Sequence, residues 1–518
     1  MKRDIFNFSS LSLLMAIVFM VAACTDLEVK EKDSIVIESE GGEFAGVNPA
    51  ASLASAYQDI NAFGDQANWY ALMEVASDEL LVPTRGTDWG DNGVWRVLHT
   101  HDWDATHPQI LTTWNQLNSN VFRLNQLLDP KSNASAVQTA EGKFLRAFNM
   151  FYIFDLWRQI PFRNASDAPN SDPIVLKGEE AFNFILNDLT QALPDLPTIT
   201  AGTAANAQVR ASKAAARFLL AKLYLNKHVF LNTTVQTDDM TKVVENVDAI
   251  LTDGYNLAPP GEYFDMFKRK GSNDDLETIF WVNTCVCNKI WNGLHYNQFS
   301  PNQAGGWNGF STTAEFYALF EGNPNSNEPG NGQEERRGFV PNAPGLTQNG
   351  IGYGFLVGQQ YDKDGNKLKD RAGNDLIFTK DFPGLAGNNE RTGIRVIKYH
   401  PENNGEYANG VVFYRYADAH LMKVEAILRG ASGNAQALLD ELRTARGVSS
   451  ITANLENVLN ERGRELYIEG WRRNDLVRFG KWSDTWALKS NTDTYRVLYP
   501  IPASAVSSNP NLTQNEGY

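Results

Sequence analysis

The sequence predicts a mainly α-helical protein, a scaffold of tetratricopeptide-like helix pairs carrying one loop-rich, irregular region. Three observations point there. Apolar side chains recur at helical spacing through residues 48–255 and again through 415–480. Ala214, Ala215, Ala216 and Ala221 remove bulk from one predicted helix, so a neighbour can approach closely. Twenty of the 40 glycines lie between Gly293 and Gly410, which excludes long helices there. With 518 residues and 42% hydrophobic side chains, the chain can bury a large core.

The chain opens with Lys2 and Arg3, followed by an apolar run over residues 11–23 that is too short to span a bilayer. It ends in Val21-Ala22-Ala23-Cys24, the pattern of a bacterial lipoprotein cleavage site. Residues 1–23 are therefore expected to be a signal peptide, with Cys24 as the lipidated first residue. Attached acyl chains contribute about 0.8 kcal/mol per buried methylene, so several chains anchor a protein firmly. Residues 24–47 are assigned to the lipidated Cys and its tether, and 48–518 to a single domain. Its loop-rich insertion spans about 256–410.

Within that domain, Leu117, Val121, Leu124 and Leu128 share a helical face. Phe144, Phe148 and Phe151 step along a second helix, which Pro161 stops. A third helix is expected over 179–193 and a fourth over 211–226. In the insertion, Asp362-Lys363-Asp364-Gly365-Asn366 lacks the sixth-position Gly and distal Glu of a calcium loop and predicts a hairpin turn. Helices return at 415–429, 434–446 and 455–470, and 499–518 reads as Pro- and Asn-rich coil.

Charge and motifs narrow the function. The 46 basic and 61 acidic residues leave a net charge of −15, which argues against bulk binding to nucleic acid. Three cysteines exclude a disulfide-built scaffold. The Cys285-Val286-Cys287 pair would place two buried thiols on one face of a strand, without completing a metal site. His99, His101 and His107 are expected to be structural or surface residues, and neither a metal nor a cofactor is expected. No zinc-protease, nucleophile-elbow or phosphate-loop motif is present. Glycoside hydrolysis needs two carboxylates about 5–9.5 Å apart in a cleft, and nothing in the sequence singles out such a pair.

Tryptophan is more informative. Trp69, Trp89, Trp95 and Trp103 cluster in one window, and Trp281, Trp291 and Trp307 in another, together seven of the 12. Several stand among turn residues, as in Thr87-Asp88-Trp89-Gly90-Asp91-Asn92, Trp291-Asn292-Gly293 and Gly305-Gly306-Trp307-Asn308-Gly309. A loop indole can pin a loop to the core, or it can offer a flat face to the C–H side of a sugar ring.

The C-terminal blocks carry a resemblance. They are Arg415-Tyr416-Ala417-Asp418-Ala419-His420-Leu421-Met422, Asp440-Glu441-Leu442-Arg443-Thr444-Ala445-Arg446-Gly447, and the long run from Glu461-Arg462-Gly463-Arg464-Glu465 through Glu469-Gly470-Trp471-Arg472-Arg473-Asn474-Asp475 to Phe479-Gly480. Tyr499-Pro500-Ile501-Pro502 and the final Asn509 to Tyr518 follow. In order and spacing these resemble the SusD/RagB family of outer-membrane lipoproteins, and Phe144-Leu145-Arg146-Ala147 and the Ala214–Leu225 block agree. One departure is Trp157-Arg158-Gln159-Ile160-Pro161, where the family commonly has Tyr-Gly before the Pro.

The resemblance implies a non-catalytic cell-surface protein that captures glycan and passes it to a SusC-like TonB-dependent barrel in the outer membrane. It also implies ligand sites in the two aromatic loop regions. Trp89, Trp291 and Trp307 are expected as stacking platforms with Tyr296 as a fourth, and Arg85, Asp91, Asn92 and Asn68 as hydroxyl partners. The acidic charge favours a neutral glycan. Arg464, Glu465, Arg472, Arg473 and Asp475 are expected to form a charge network stabilising the last helix. A peptide-binding member of the same fold and, less favoured, a secreted glycoside hydrolase are the alternatives.

Overall fold

The structure, a computed structural model, describes residues 36–38, 44–168, 170–202, 209–267, 275–282, 287–298, 305–401 and 410–518. The signal peptide, Cys24 and Cys285 lie outside the described residues. The end of the expected tether is part of the fold. Strand β1 (Val36–Glu38) pairs with β2 (Phe44–Val47), and the Val47 N–H bonds the Ser132 hydroxyl at 3.0 Å.

The N-terminal scaffold is helical. Helices α1 (Pro49–Asp59), α2 (Val94–Thr100), α3 (Pro108–Leu128), α4 (Ala136–Trp157), α5 (Gly178–Ala192), α6 (Lys213–Phe230) and α7 (Thr237–Thr252) follow in order, with β3 (Leu80–Leu81), β4 (Gln159–Phe162) and β5 (Ile174–Lys177) between them. Short connections fold α3 onto α4 and α6 onto α7, as stacked helix pairs require, and α5 also packs on α6. Helix α4 begins at a capping box, with Ser135 and Gln138 each accepting the other's backbone N–H. Phe144, Phe148 and Phe151 on α4 are wholly buried. Gly142 lets α3 lie close, because a Cβ there would meet Leu127 Cδ2 at 2.8 Å. The four alanines of α6 are also wholly buried.

The insertion is built from short strands and turns, as its glycines predict. Strand β6 (Thr278–Val282) and the short α8 (Cys287–Trp291) open it; β7 (Ser311–Thr312), α9 (Ala314–Tyr317), β8 (Gly338–Phe339), β9 (Tyr353–Leu356), β10 (Gly358–Gln359), β11 (Ile377–Phe378) and β12 (Arg395–Ile397) follow. Cys287 begins α8 rather than continuing a strand, because the chain turns into a helix there. Asp362–Asn366 is a tight turn in which Asp362 Oδ1 accepts from the Asp364 and Asn366 N–H groups. Asp370 makes the same bonds to Ala372 and Asn374.

Strand β13 (Val411–Arg415) pairs antiparallel with β6 and leads into α10 (Tyr416–Leu428), α11 (Ala435–Ala445), α12 (Leu455–Leu466) and α13 (Arg472–Arg478). Two expectations are corrected here. The helix expected over 455–470 ends at Leu466, since Ile468 and Gly470 are left-handed at φ 54° and 85°. Their N–H groups are taken by the carboxylates of Glu79 and Glu74, and a Cβ on Gly470 would lie 2.3 Å from the Trp69 ring. The final coil contains a helix, α14 (Ala503–Ser508).

The charged blocks form a buried network far wider than the last helix. Glu465 accepts from Arg336 at 3.0 Å, Arg415 at 2.7 Å and Arg446 at 2.9 Å. Glu461 accepts from Arg336 at 2.7 Å, Arg443 at 2.6 Å and Arg464 at 2.9 Å. Asp475 pairs with Arg462 at 2.8 Å and Arg478 at 2.7 Å. Arg472 reaches Asp78 at 2.6 Å, and Arg473 reaches Asp155 at 2.7 Å, both on the N-terminal scaffold. Burial alone would raise the Glu461 carboxyl, but Arg336, Arg464 and Arg443 pull it down to about 2. Asp475 is likewise held at about 2 by Arg462, Arg478 and Lys222 against its burial.

Removing one partner of a buried pair costs about 3–5 kcal/mol, because the other charge is stranded. Arg472→Ala is expected to lose somewhat less, about 3 kcal/mol, as Asp78 retains 22% side-chain exposure. Urea unfolding at pH 7 measures this, and an unchanged midpoint would refute it. Glu461 and Asp475 have depressed folded-state pKa values. The stability they contribute is present above the ordinary carboxylate range and lost as pH falls from about 4.5 toward 2. Glu74 carries the opposite sign. Burial pushes it up to about 7, so its contribution is complete below pH 4.5 and lost as pH rises through 7. Glu74→Gln keeps an acceptor for the Gly470 N–H and should flatten the stability profile between pH 5 and 8; a profile like that of the parent would count against this assignment.

Candidate functional site

Two loops, one from each tryptophan-rich window, meet at the surface. In the first, Arg85 and Asp88 exchange backbone hydrogen bonds at 3.0 and 2.9 Å, and Gly86 takes φ 58° in the turn between them. Trp89, Asp91 and Asn92 then all adopt positive φ, at 59°, 36° and 52°. Left-handed non-glycine residues cost of order 1–3 kcal/mol each and cluster at functional sites. In the second loop, the N–H groups of Gly306, Trp307, Asn308, Gly309 and Phe310 bond carbonyls of residues 291–295 at 2.7–3.0 Å.

Glycine is required where these loops touch. A Cβ on Gly306 would lie 2.1 Å from the Leu294 carbonyl oxygen, and one on Gly309 would lie 2.4 Å from the Trp89 indole. The Trp89 ring therefore rests against the backbone of the second loop, and its Nε1 donates to the Trp307 carbonyl at 2.8 Å. Trp95 and Phe310 meet the Trp89 ring edge to face at 5.7 and 5.8 Å and fix its plane. Trp307 is 42% exposed and tilted by 49° to Trp89, with ring centres 6.4 Å apart.

Trp89, Trp307, Tyr296 and Asp91, together with Gln66, Thr87 and Asp88, line an open cavity of about 450 Å³. The Tyr296 hydroxyl donates to Asp88 at 2.5 Å. Arg371 lies over the Tyr296 ring at 3.9 Å and pairs with Asp88 at 3.0 Å. It also pairs with Glu390, which His295 meets at 3.1 Å. Burial, then the nearby Arg395, lowers His295 to about 4, so its imidazole is neutral at pH 7. Asp91 accepts from the Trp95 indole at 2.7 Å. Both cavity carboxylates thus accept hydrogen bonds from neighbouring side chains.

The other expected site residues sit elsewhere. Arg85 is buried and donates to Gly309 O, Ser311 Oγ and Thr392 O at 2.7–2.8 Å, so it staples three loops instead of facing a ligand. Burial lowers its pKa to about 9. Asn68 is also buried, and its Oδ1 accepts from the Trp69 N–H at 2.7 Å. Trp291 is half-buried behind Trp307, with ring centres 5.8 Å apart. Asn92 is exposed but outside the cavity lining. Sequence reasoning missed Gln66, Thr87, Asp88 and Arg371. Thr87 and Asp88 stand beside Trp89 in the motif itself, whereas nothing near Gln66 or Arg371 signals the site. His99, His101 and His107 are buried and each faces a backbone carbonyl, at 2.7–3.3 Å. Among the described residues no group of three or more metal-binding side chains converges.

Residues 277–518 match the sequence model of the SusD family. The chain is 25% identical over 509 residues to the starch-binding protein SusD of Bacteroides thetaiotaomicron, covering 89% of this chain and 87% of that protein. It is 23% identical over 446 residues to SusD-like protein P38 of Formosa agariphila, covering 78% and 79%. Among solved structures, a laminarin-binding SusD-like protein superposes with a TM-score of 0.67 at 21% identity, covering 91% of this chain and 99% of the other. Surface glycan-binding protein A of B. thetaiotaomicron, solved with laminarihexaose, gives 0.64 at 18% identity, covering 90% and 98%. SusD family sequence over residues 277–518 is thus joined to a mainly helical fold that matches SusD-like structures over nine-tenths of the chain.

Proposed function

We propose that this protein is a non-catalytic glycan-binding lipoprotein of the outer-membrane surface, which captures an oligo- or polysaccharide and hands it to a SusC-like TonB-dependent barrel. The observation that carries the reading is the convergence of Trp89, Trp307 and Tyr296 on one open cavity rimmed by acids and an amide. Each aromatic face can cover the C–H side of a sugar ring. Asp88, Asp91, Gln66 and Thr87 then offer hydroxyl partners at about 0.5–1.5 kcal/mol net per bond. The two carboxylates disfavour a uronate or sulfated ligand by like-charge repulsion, which supports a neutral glycan. Relatives whose names record starch and laminarin binding support the glycan class. Membrane attachment rests on the Cys24 motif. Among the described residues, no helix is long and apolar enough to cross a membrane. Modest affinity per site is compatible with retention, since a polymer offers many copies of its epitope.

Two outcomes test the reading. In affinity gels with neutral α- and β-glucans, Trp307→Ala and Tyr296→Phe separate stacking from the hydroxyl. Trp307→Ala is expected to weaken binding about tenfold, or ~1.4 kcal/mol, at an unchanged melting temperature. Tyr296→Phe should lose less. Full retardation of Trp307→Ala would remove that residue from the site, and no retardation of the parent protein by any neutral glucan would argue for another ligand class. Cys24→Ser should move the protein from the membrane pellet to the soluble fraction; persistence in the pellet would argue against lipidation at that residue.

A further inference from the structure

Arg371 stands on a short internal repeat. Asp362-Lys363-Asp364-Gly365-Asn366 returns eight residues later as Asp370-Arg371-Ala372-Gly373-Asn374. In each turn the Asp Oδ1 accepts the N–H groups two and four residues on, at 2.8–3.0 Å, and the Gly takes φ 80° or 87°. Backbone bonds then close the three chain segments into a ring: Leu368 N–H to Gln360 O at 2.9 Å, Leu376 N–H to Leu368 O at 2.8 Å, and Gln360 N–H to Leu376 O at 2.9 Å. The residue after each Asp is therefore carried at a fixed place. In the first turn it is Lys363, which is exposed and pairs with its neighbour Asp364. In the second it is Arg371, which reaches the aromatic cleft.

There its backbone N–H bonds Glu390 Oε2 at 2.9 Å, its Nε pairs with Glu390 Oε1, and its Nη2 donates to Asp88 Oδ2 at 3.0 Å. The guanidinium covers one face of Tyr296, whose hydroxyl donates to the same Asp88 oxygen. Both donors thus use Oδ2, and Asp88 Oδ1 makes no hydrogen bond among the described residues. Asp88 and Tyr296 line the cavity, whereas Arg371 is not among its lining residues. The Arg371 side chain is 52% exposed, so its ion pairs contribute little to fold stability.

We propose that Arg371 is a positioning residue for glycan binding that acts through Asp88 and Tyr296; this rests on the reading of the cleft as the glycan site. Its planar fork engages two carboxylates and a ring face at once, which the compact ammonium of a lysine does not reproduce. With Oδ2 held by two donors, the Asp88 carboxylate keeps one orientation and offers Oδ1 as an ionised acceptor. A sugar hydroxyl donating to it makes a charge-assisted bond, stronger than one to a neutral acceptor. Fixing both side chains before the ligand arrives also lowers the ordering cost of binding. Without Arg371, Asp88 and Glu390 lose the cation they share, and Tyr296 loses the group stacked on it.

Isothermal titration calorimetry of the mature protein with maltoheptaose and laminarihexaose tests this. Arg371→Gln is expected to bind the preferred oligosaccharide at least fivefold more weakly than the parent, at an unchanged melting temperature. Arg371→Lys, which keeps the charge but not the fork, should lose at least threefold. Lys363→Gln, at the equivalent place in the first turn, should bind as the parent does. In an Asp88→Asn background, Arg371→Gln should cost less than it does alone, because the carboxylate it orients is gone. Parental affinity in either Arg371 variant, a matching fall in melting temperature, an equal loss in Lys363→Gln, or independent losses in the double variant would each overturn the positioning role and leave the glycan reading intact. Binding of neither oligosaccharide by the parent would overturn that reading and the proposal with it.

Discussion

The carboxylate of Glu465 is the point on which the architecture turns. It sits at 0% exposure among Arg336 from the insertion, Arg415 from the end of β13 and Arg446 from the end of α11. None of these charges can be withdrawn alone without stranding the others in a low-dielectric interior. Replacing such a cluster with apolar residues of similar volume can be neutral for stability, so its role here is better described as specifying one arrangement of segments. An irregular insertion with short strands has few ladder hydrogen bonds to hold it. Charge pairs with defined geometry supply the register instead.

The same logic runs outward along residues 461–478. Alternating acids and bases on α12 and α13 reach Asp78 and Asp155 of the N-terminal scaffold through Arg472 and Arg473, and Asp475's partner Arg462 shares the Asp418 carboxylate with Lys222 of that scaffold. Between the two helices, Glu74 and Glu79 hold the left-handed bend at Ile468 and Gly470. The C-terminal blocks therefore hold both the helical body and the loop layer.

The aromatic cleft depends on this rigid support. Trp89 keeps its plane only because Gly309 yields room and Trp95 and Phe310 close around it. Arg85 and Arg395 bond loop carbonyls and side-chain oxygens there, with no carboxylate partner among the described residues. Their cost of burial is offset by the loop carbonyls they gather, which fixes the spacing of the platforms above.

What the sequence determined by itself was periodic or positional. Helical spacing, an alanine-rich crossing and a glycine-dense insertion are local properties, so the mainly α scaffold and its irregular layer were legible. Tryptophans set among turn residues marked the two loops that meet. Tertiary structure decided which side chains face outward. Arg85 lies within four residues of Asp88 and Asn68 within two of Gln66, yet Arg85 and Asn68 are buried in internal bonds whereas Asp88 and Gln66 line the cavity. Arg371 enters from nearly three hundred residues away, because the insertion folds back over Tyr296. Partners of such buried or long-range groups are set by how loops close on one another, and no spacing rule along the chain carries that information.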